Sequence, residues 1–592
     1  VVPCWRGGKL LLSVRFRLKN KVFISLGALS LVLLCSNPQA QEAGQSPAQA
    51  PADVIFLGPN IITVDPATEG AEAVAIRADR IIAVGDGERV LGLRGEATRV
   101  IELGNQALLP GFIDSHGHVG NQARILAVAN LAPPPVGSVS DIARLQQSVR
   151  QYIAAREIPA GQWVLGFGYD DSLLAESRHP TRDDLDAVSS DHPILLMHIS
   201  GHLGAVNSAA LALLGINAET ANPPGGVIRR RAGSNEPDGV LEEAAVITAY
   251  FALPQPGPEV SLQLLLAAQE FYASKGITTV QEGAATPQDM ELLRAAASQQ
   301  KLLLDFVAFA YWQADKAPMP ALEGLGQYRN RFKPAGIKLV LDGSPQGKTA
   351  YLSQPYSVPP HGLPADYHGY PAYPAETVDR AVHEVLAQQI PLIAHANGDA
   401  AAEMLINAVD KATGQLSVAD ARVVMIHAQT VRDDQLDRMA VLGMIPSFFS
   451  AHTFFWGDWH RESVLGPLRA DRISPTRSAL DRGIPFTVHN DAPITPPDPI
   501  AMLWSTATRR TRSNDILGPA QRVPVYEAIK ALTINGAYQY FEEASKGSIS
   551  PGKLADLVVL SANPLQPEPE KLRELSVDAT WSHGVEVFAR EP

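Results

Sequence analysis

Along this chain the spacing of apolar positions changes several times. Residues 53–108 read VIFLG, NIITVD, AVAIRADRIIAVGD and RVIELG, short runs with near two-residue alternation broken by Gly and Asp. That spacing predicts strands joined by tight turns. Residues 553–592 return to it in KLADLVVLSANP and ATWSHGVEVFA. The two ends are therefore expected to build one composite β-sandwich, from 53–107 and 546–592. Between them, apolar runs read as strands at 108–113, 278–281, 304–310, 337–341, 391–394, 423–426, 444–447 and 485–488. Helical periodicity lies between most of them, for example at 261–275, 377–389 and 432–442. Eight β-then-α units predict an α/β fold, a (β/α)8 TIM barrel over 108–545. About 160 residues separate its first and second strands, so a subdomain at about 120–260 is expected as an insert. In that insert, Asn207 and Ser208 are expected to cap a helix near Ala209. Glu242 and Glu243 read as the acidic start of another helix.

The first forty residues have a different pattern. Segment 15–21, RFRLKNK, is basic, and 22–35 is a run of 14 apolar or small residues. A membrane-spanning helix needs about 20. A basic start, a short apolar run and a polar stretch ending Pro38-Gln39-Ala40 predict a secretory signal peptide over 1–40. A flexible linker, QEAGQSPAQAPA, follows at 41–52. The first methionine is Met197, and translation is expected to start at Val14. The implied location is periplasmic or secreted, with no membrane association beyond the export signal.

Composition narrows the function. The 592 residues are 46% hydrophobic and 19% charged, which excludes wholesale disorder. Residues 41–592 carry a formal −19, a poor match for nucleic acid or anionic lipid. Both cysteines, Cys4 and Cys35, precede residue 41. The body therefore has no disulfide, thiolate ligand or cysteine nucleophile.

The candidate chemistry sits at the ends of the expected barrel strands. In LLPGFIDSHGHVG (108–120), His116 and His118 lie two apart after an apolar strand. In extended backbone they point to one side, so both imidazoles can reach one metal. His395 ends PLIAH, His427 ends VVMIH, and Asp491 follows FTVHN. The C-terminal ends of barrel strands form the active face. Several His and one Asp make a ligand set suited to Zn2+, one or two per chain, ahead of iron, manganese or nickel. Lys338 lies inside the strand GIKLVLD, where an unpaired ammonium is costly. It reads either as a snorkelling or ion-paired lysine, or as an amine that reacts with CO2 to give a carbamate able to bridge two metals. The aromatic run after the seventh strand gives Phe449, His452 and Trp456 as substrate-side candidates. His202, in SGHLGAVNS, is a candidate for orienting or polarising the substrate. GSPQGKT (343–349) has one residue too few between its glycines for a phosphate-binding loop, and no G-x-S-x-G motif is present.

The segments PNIITVDP, LLPGFIDSHGHV, SGHLGAVNSAAL, GVLEEAA, GIKLVLDGSPQGKTA, LIAHANGDAA, MIHAQTV, VHNDAP and GSISPGKLADLVVL occur in that order over nearly all of 53–562. In this the chain resembles the amidohydrolase superfamily, within it the YtcJ-like branch that includes N-substituted formamide deformylases. The resemblance implies a metal-dependent hydrolase barrel with a composite β-sandwich. It implies that His116 and His118 bind the more buried metal, that carbamylated Lys338 bridges, and that His395 and His427 bind the second. Asp491 would ligate and handle protons. The loop usually reads close to DGSLGSRTA; DGSPQGKTA here puts Pro345 and Lys348 near the pocket. The expected activity is hydrolysis of a non-peptide C–N bond, in an amide, N-substituted formamide or cyclic amide, through a metal-activated hydroxide. The same site suits esters, lactones or carbamates. A metal-binding or structural envelope protein without turnover is the non-enzymatic alternative. A small-molecule amide is the expected partner, and a homodimer the default assembly.

Overall fold

The structure, a computed structural model, describes residues 50–591 except 172, 202, 224–225, 254–255, 361–362 and 419. The expected signal peptide, most of the linker and His202 lie outside the described residues.

Eight strands form one parallel sheet in chain order. They are β1 (Phe112–Ile113), β2 (Ile277–Ala285), β3 (Asp305–Tyr311), β4 (Phe332–Val340), β5 (Leu392–Ala396), β6 (Val424–His427), β7 (Ile445–Phe448) and β8 (Thr487–Val488). Each neighbouring pair runs parallel. The outer strands meet through Ser115 Oγ, which donates to Val488 O at 2.9 Å, and Asp491 N–H, which donates to His116 O at 3.2 Å.

The connecting helices follow their sequence periodicity. Ala375–Ala387 buries Val378, Ala381, Val382, Val385 and Leu386, a stripe at i, i+3, i+4, i+7 and i+8. Asp433–Leu442 stops at Gly443, whose φ of 64° is the left-handed stop glycine allows. No helix joins β3 to β4 among the described residues. The connection carries Pro318, Pro320, Gly324 and Gly326, which suit turns rather than a helix.

Residues 108–113, expected to be one strand, divide at Gly111. Ala107–Pro110 pairs antiparallel with Leu557–Leu560, whereas β1 pairs with β2. Gly111 N–H donates to Asp556 O, and Phe112 N–H to Gly276 O. A Cβ on Gly111 would lie 2.4 Å from the Thr278 side chain, so only glycine permits this change of partners.

Ala107–Pro110 completes a four-stranded sheet with Leu557–Leu560, Val577–Ser582 and Val585–Ala589. A second four-stranded sheet holds Val54–Leu57, Ala73–Arg77, Arg80–Gly85 and Arg99–Glu102. Both contribute to one apolar cluster that includes Phe56, Val74, Leu108, Leu557 and Trp581.

Between β1 and β2 the chain builds a six-stranded sheet from strands spanning Ala129 to Glu243. Asn207 Oδ1 accepts from Ala210 N–H and caps the helix Ser208–Leu214. Glu242 and Glu243 do not open a helix. They end the strand Pro237–Glu243, and Glu242 pairs with Arg229 across the ladder. The β-favouring Val240-Leu241 before them continues the pairing up to Glu242.

Candidate metal centre

A parallel sheet puts all its strand C-termini at one end, and the candidate residues gather there. His116 and His118 follow β1, Lys338 projects from β4, His395 lies in β5, His427 ends β6 and Asp491 follows β8. His116 Nε2 lies 3.2 Å from Lys338 Nζ and 3.5 Å from Asp491 Oδ1. His118 Nε2 lies 3.3 Å from the same oxygen. His427 Nε2 lies 3.9 Å from Asp491 Oδ2. His395 stands one ring further out, edge-on to His427 with centroids 4.5 Å apart. Lys338 is 2% exposed. Gly283 gives His116 its room, because a Cβ there would sit 2.5 Å from His116 Cε1.

The four imidazoles share an arrangement that sequence spacing did not reveal. Each turns Nδ1 towards an outer partner. His116 Nδ1 meets Gln281 Oε1 at 2.7 Å, and His118 Nδ1 faces Glu282 Oε1 at 3.5 Å. His395 Nδ1 meets Asp342 Oδ1 at 3.1 Å, and His427 Nδ1 meets His489 Nε2 at 3.1 Å. Gln281 is oriented by its own amide, which donates to Ser115 O and to the Tyr540 hydroxyl. Asp342 is fixed by N–H groups of Tyr351, Asn397 and Gly398. An oxygen acceptor at Nδ1 places the proton there and leaves Nε2 as a lone pair. At His395 that lone pair accepts from Asn397 Nδ2 at 3.2 Å.

Electrostatics follow from burial. Burial pushes the Lys338 ammonium down to about 7, against the pull of Asp491 and Glu282. Burial, then Lys338 and the neighbouring imidazoles, holds His116 and His427 well below the usual imidazole range, and burial, against the pull of Asp491, puts His489 at about 3. Burial also opposes charge on His118, but Asp491 and Glu282 outweigh it and raise it to about 9. Burial likewise opposes charge on Asp491, and its contact with His118 more than offsets this.

A divalent ion fits these residues. Asp491 Oδ1 is buried without a hydrogen-bond partner, between two imidazole nitrogens. One ligand atom each from His116, His118 and Asp491 lies within 4.8 Å of the others. Neutral imidazoles and one carboxylate form a donor set common for zinc.

The substrate-side candidates separate. Trp456 lines a cavity of about 700 Å³ together with Phe167, Phe454, Phe455 and Trp504. That cavity flanks the centre through Gln122 and Asn490 and does not include the His and Asp ligands themselves. Phe449 is not among its lining residues. It is buried between the rings of His452 and His489. His452 is also buried, its Nδ1 3.0 Å from His460 Nε2, so a substrate role for it has no exposed surface to act through. Lys348 donates to Val358 O and Ser463 Oγ and packs over Trp459, a clamp between loops.

Asp170, Asp171 and His198 form a second grouping in the inserted region. Ser200 N–H donates to His198 Nδ1, so the neutral ring keeps its proton on Nε2, which faces Asp171 Oδ1 at 3.1 Å. That is a histidine–carboxylate pair, with no ring lone pair turned to the carboxylates.

Sequence reading missed Gln281, Glu282, Asp342 and His489. For three of them a positional signal existed, because Gln281 and Glu282 sit in β2 and His489 lies two residues before Asp491.

Comparison with known proteins bears on the family and the fold. The chain is 28% identical over 550 residues to the N-substituted formamide deformylase of Arthrobacter pascens, covering 91% of this chain and 98% of that one. It is 29% identical over 562 residues to the putative amidohydrolase YtcJ of Bacillus subtilis strain 168, covering 90% and 99%. The solved fold of an uncharacterised metal-dependent hydrolase from Pyrococcus horikoshii OT3 superposes with a TM-score of 0.68 at 23% identity, covering 87% of this chain and 99% of that one. The sequence model of the amidohydrolase family matches residues 99–588, from the last strand before Ala107–Pro110 through the final strand of the described fold, and this chain belongs to that family.

Proposed function

We propose that this chain is an exported zinc-dependent hydrolase of a non-peptide C–N bond in a small amide, N-substituted formamide or cyclic amide. The observation that carries the reading is the convergence of His116, His118 and Asp491, whose ligand atoms lie within 4.8 Å of one another beside Lys338. His116, His118 and Asp491 would hold one ion, His395 and His427 a second, with Lys338 between them as a carbamate. An ion held there supplies Lewis acidity and lowers the pKa of water towards about 7.

The chain's own groups do the rest. Near pH 7 a large share of Lys338 is free amine. Its nitrogen can bond to CO2 carbon and release one N–H proton, leaving an anionic carbamate. Asp491 takes a proton at the carboxylate oxygen not turned to His116 and His118, Oδ2, and returns it to the departing nitrogen. An amine leaves poorly without that proton, so C–N cleavage requires a group placed as this carboxylate is. The aromatic walls of the neighbouring cavity would hold the body of the substrate, with Trp456 at its edge. His202 would orient the scissile carbonyl, on sequence grounds alone. The similarity to a formamide deformylase supports the bond type. Export rests on the leader pattern, and homodimer formation on the general default. We read the eight-stranded sheet as a closed barrel and the two four-stranded sheets as the layers of one composite sandwich.

The test is turnover of amides, formamides, cyclic amides, esters and lactones by zinc-loaded and chelated protein. C–N cleavage lost on chelation is expected. Cleavage confined to esters or lactones overturns the bond assignment, and no turnover of any class favours a binding protein.

A further inference from the structure

Four basic residues line the cavity beside the centre: Lys275, Arg512, Arg573 and Arg590. Two of them face a carboxylate. Lys275 Nζ lies 3.4 Å from Asp498 Oδ2, and Arg590 Nη1 lies 3.9 Å from Asp578 Oδ1. Arg512 and Arg573 pair with no carboxylate among the described residues, although the body carries a formal −19. Arg512 is half-buried. Its Nη1 donates to Pro134 O at 2.7 Å and its Nε to Phe455 O at 3.3 Å, which fixes the guanidinium and leaves Nη2 without an acceptor among the described residues. Burial opposes its charge, and Asp170 and Asp458 offset this only in part. Arg573 is exposed and makes no hydrogen bond among the described residues. Both guanidiniums lie over the aromatic wall of the cavity. Arg512 and Arg573 stand 5.5 and 5.1 Å from the centroid of Phe454. Arg512 also covers Phe455 at 5.3 Å, and Arg573 covers Trp504 at 4.6 Å. A guanidinium held by its face keeps its N–H edge for a planar anion.

We propose that Arg512 and Arg573 form a subsite for a carboxylate carried by the substrate, so that the substrate class is an amide whose apolar body bears a carboxylate. The two guanidiniums hold the anion, and Phe454, Phe455 and Trp504 pack the apolar body. The acids of the lining do not oppose this. Asp498 is answered by Lys275, and Asp170 faces His198 Nε2 at 3.9 Å. The same cavity reaches the centre at Gln122, whose N–H donates to His118 O, and at Asn490, which precedes Asp491. Gln122 and Asn490 are 5% and 7% exposed, and their carboxamides make no hydrogen bond among the described residues. The polar link of such a substrate therefore finds donors and acceptors beside the ligands, and its anion finds the arginines.

The inference rests on the proposed hydrolase for what is cleaved, but not for what is bound. Chelator-treated protein is titrated by calorimetry with phenylacetate and with its neutral counterpart phenylacetamide. The carboxylate is expected to bind about 10–100-fold more tightly, as charge-assisted hydrogen bonds to an arginine provide. Arg512→Gln and Arg573→Gln are each expected to remove most of that preference and to leave the affinity for the amide as it was. Arg573 has no hydrogen bond to lose, so its variant stands even where loss of the Arg512 tie to Pro134 disturbs the fold. Equal affinities for the two probes, binding of neither, or a preference that survives Arg573→Gln and a folded Arg512→Gln would overturn the subsite. Turnover by zinc-loaded protein separates it from the proposed function. N-formylphenylalanine and N-formylphenethylamine differ by the carboxylate alone, and the acid is expected to have the lower KM at similar kcat. Turnover of both with equal KM ends the subsite and leaves the hydrolase. Turnover of neither, with the binding preference intact, ends the proposed function and leaves the subsite.

Discussion

His427 and Asp491 hold backbone conformations that residues with a Cβ avoid, with φ of 73° and 52°. Such positions cost about 1–3 kcal/mol each and persist where the surroundings enforce them. Here Asp491 N–H is tied to His116 O, and Ala428 N–H to Ala396 O. The turn after each strand is thereby held with its side chain at the centre. Asparagine tolerates the same backbone, so Asp491→Asn is expected to keep the melting temperature and to lose about 10²–10⁴-fold in kcat. Gly283→Ala drives a methyl into His116 and is expected to cost about 1–3 kcal/mol in urea unfolding, with weakened zinc binding. His118, raised to about 9 in the metal-free protein, must lose a proton to ligate. Apparent zinc affinity should therefore rise with pH up to about 9, with proton release measurable by calorimetry in buffers of different ionisation heat. His116, His118, His395, His427 and Asp491 were legible in the sequence because each stands at the end of an apolar run. Gln281, Glu282, Asp342 and His489 were missed, three of them despite a place in or beside a strand, because which imidazole an outer partner meets is fixed by register between strands, which spacing within one strand does not encode.

Among the elements, all eight strands of the parallel sheet were legible from apolar runs alone. The misread places have local causes. Gly111 lets one apolar run serve two sheets, and Glu242-Glu243 end a strand whose pairing outlasts its apolar residues. The opposite end of the sheet holds a buried charge group that sequence reading did not single out. Asp305, the first residue of β3, pairs with Lys546, which also reaches Glu542 at 3.0 Å. Burial opposes the charge on Asp305, and Lys546 and His583 outweigh it, so its carboxyl is held well below its usual range. Lys546→Met removes the cation shared by Asp305 and Glu542, which keep Arg331, His583 and Lys333 as partners, and its expected cost is about 1–3 kcal/mol by urea titration. A cost under about 1 kcal/mol would mean these charges are solvated rather than paired.

The whole molecule ties its chain ends to the site. β1, which leads into His116, is the direct continuation of Ala107–Pro110, and that strand pairs with Leu557–Leu560 from the far end of the chain. Truncation before Val577 would remove two strands and Trp581 and uncover Phe56, Val559 and Leu557. Insoluble protein is expected, and a soluble truncated chain with normal zinc content would show that this sheet does not support the centre. Metal content reads the centre itself. Protein purified without chelators, with zinc and bicarbonate present, is compared with its Lys338→Ala variant. Wild type is expected to hold about two ions per chain and the variant one or none, as a lysine-bridged pair requires. No bound metal in either protein would overturn the metal centre.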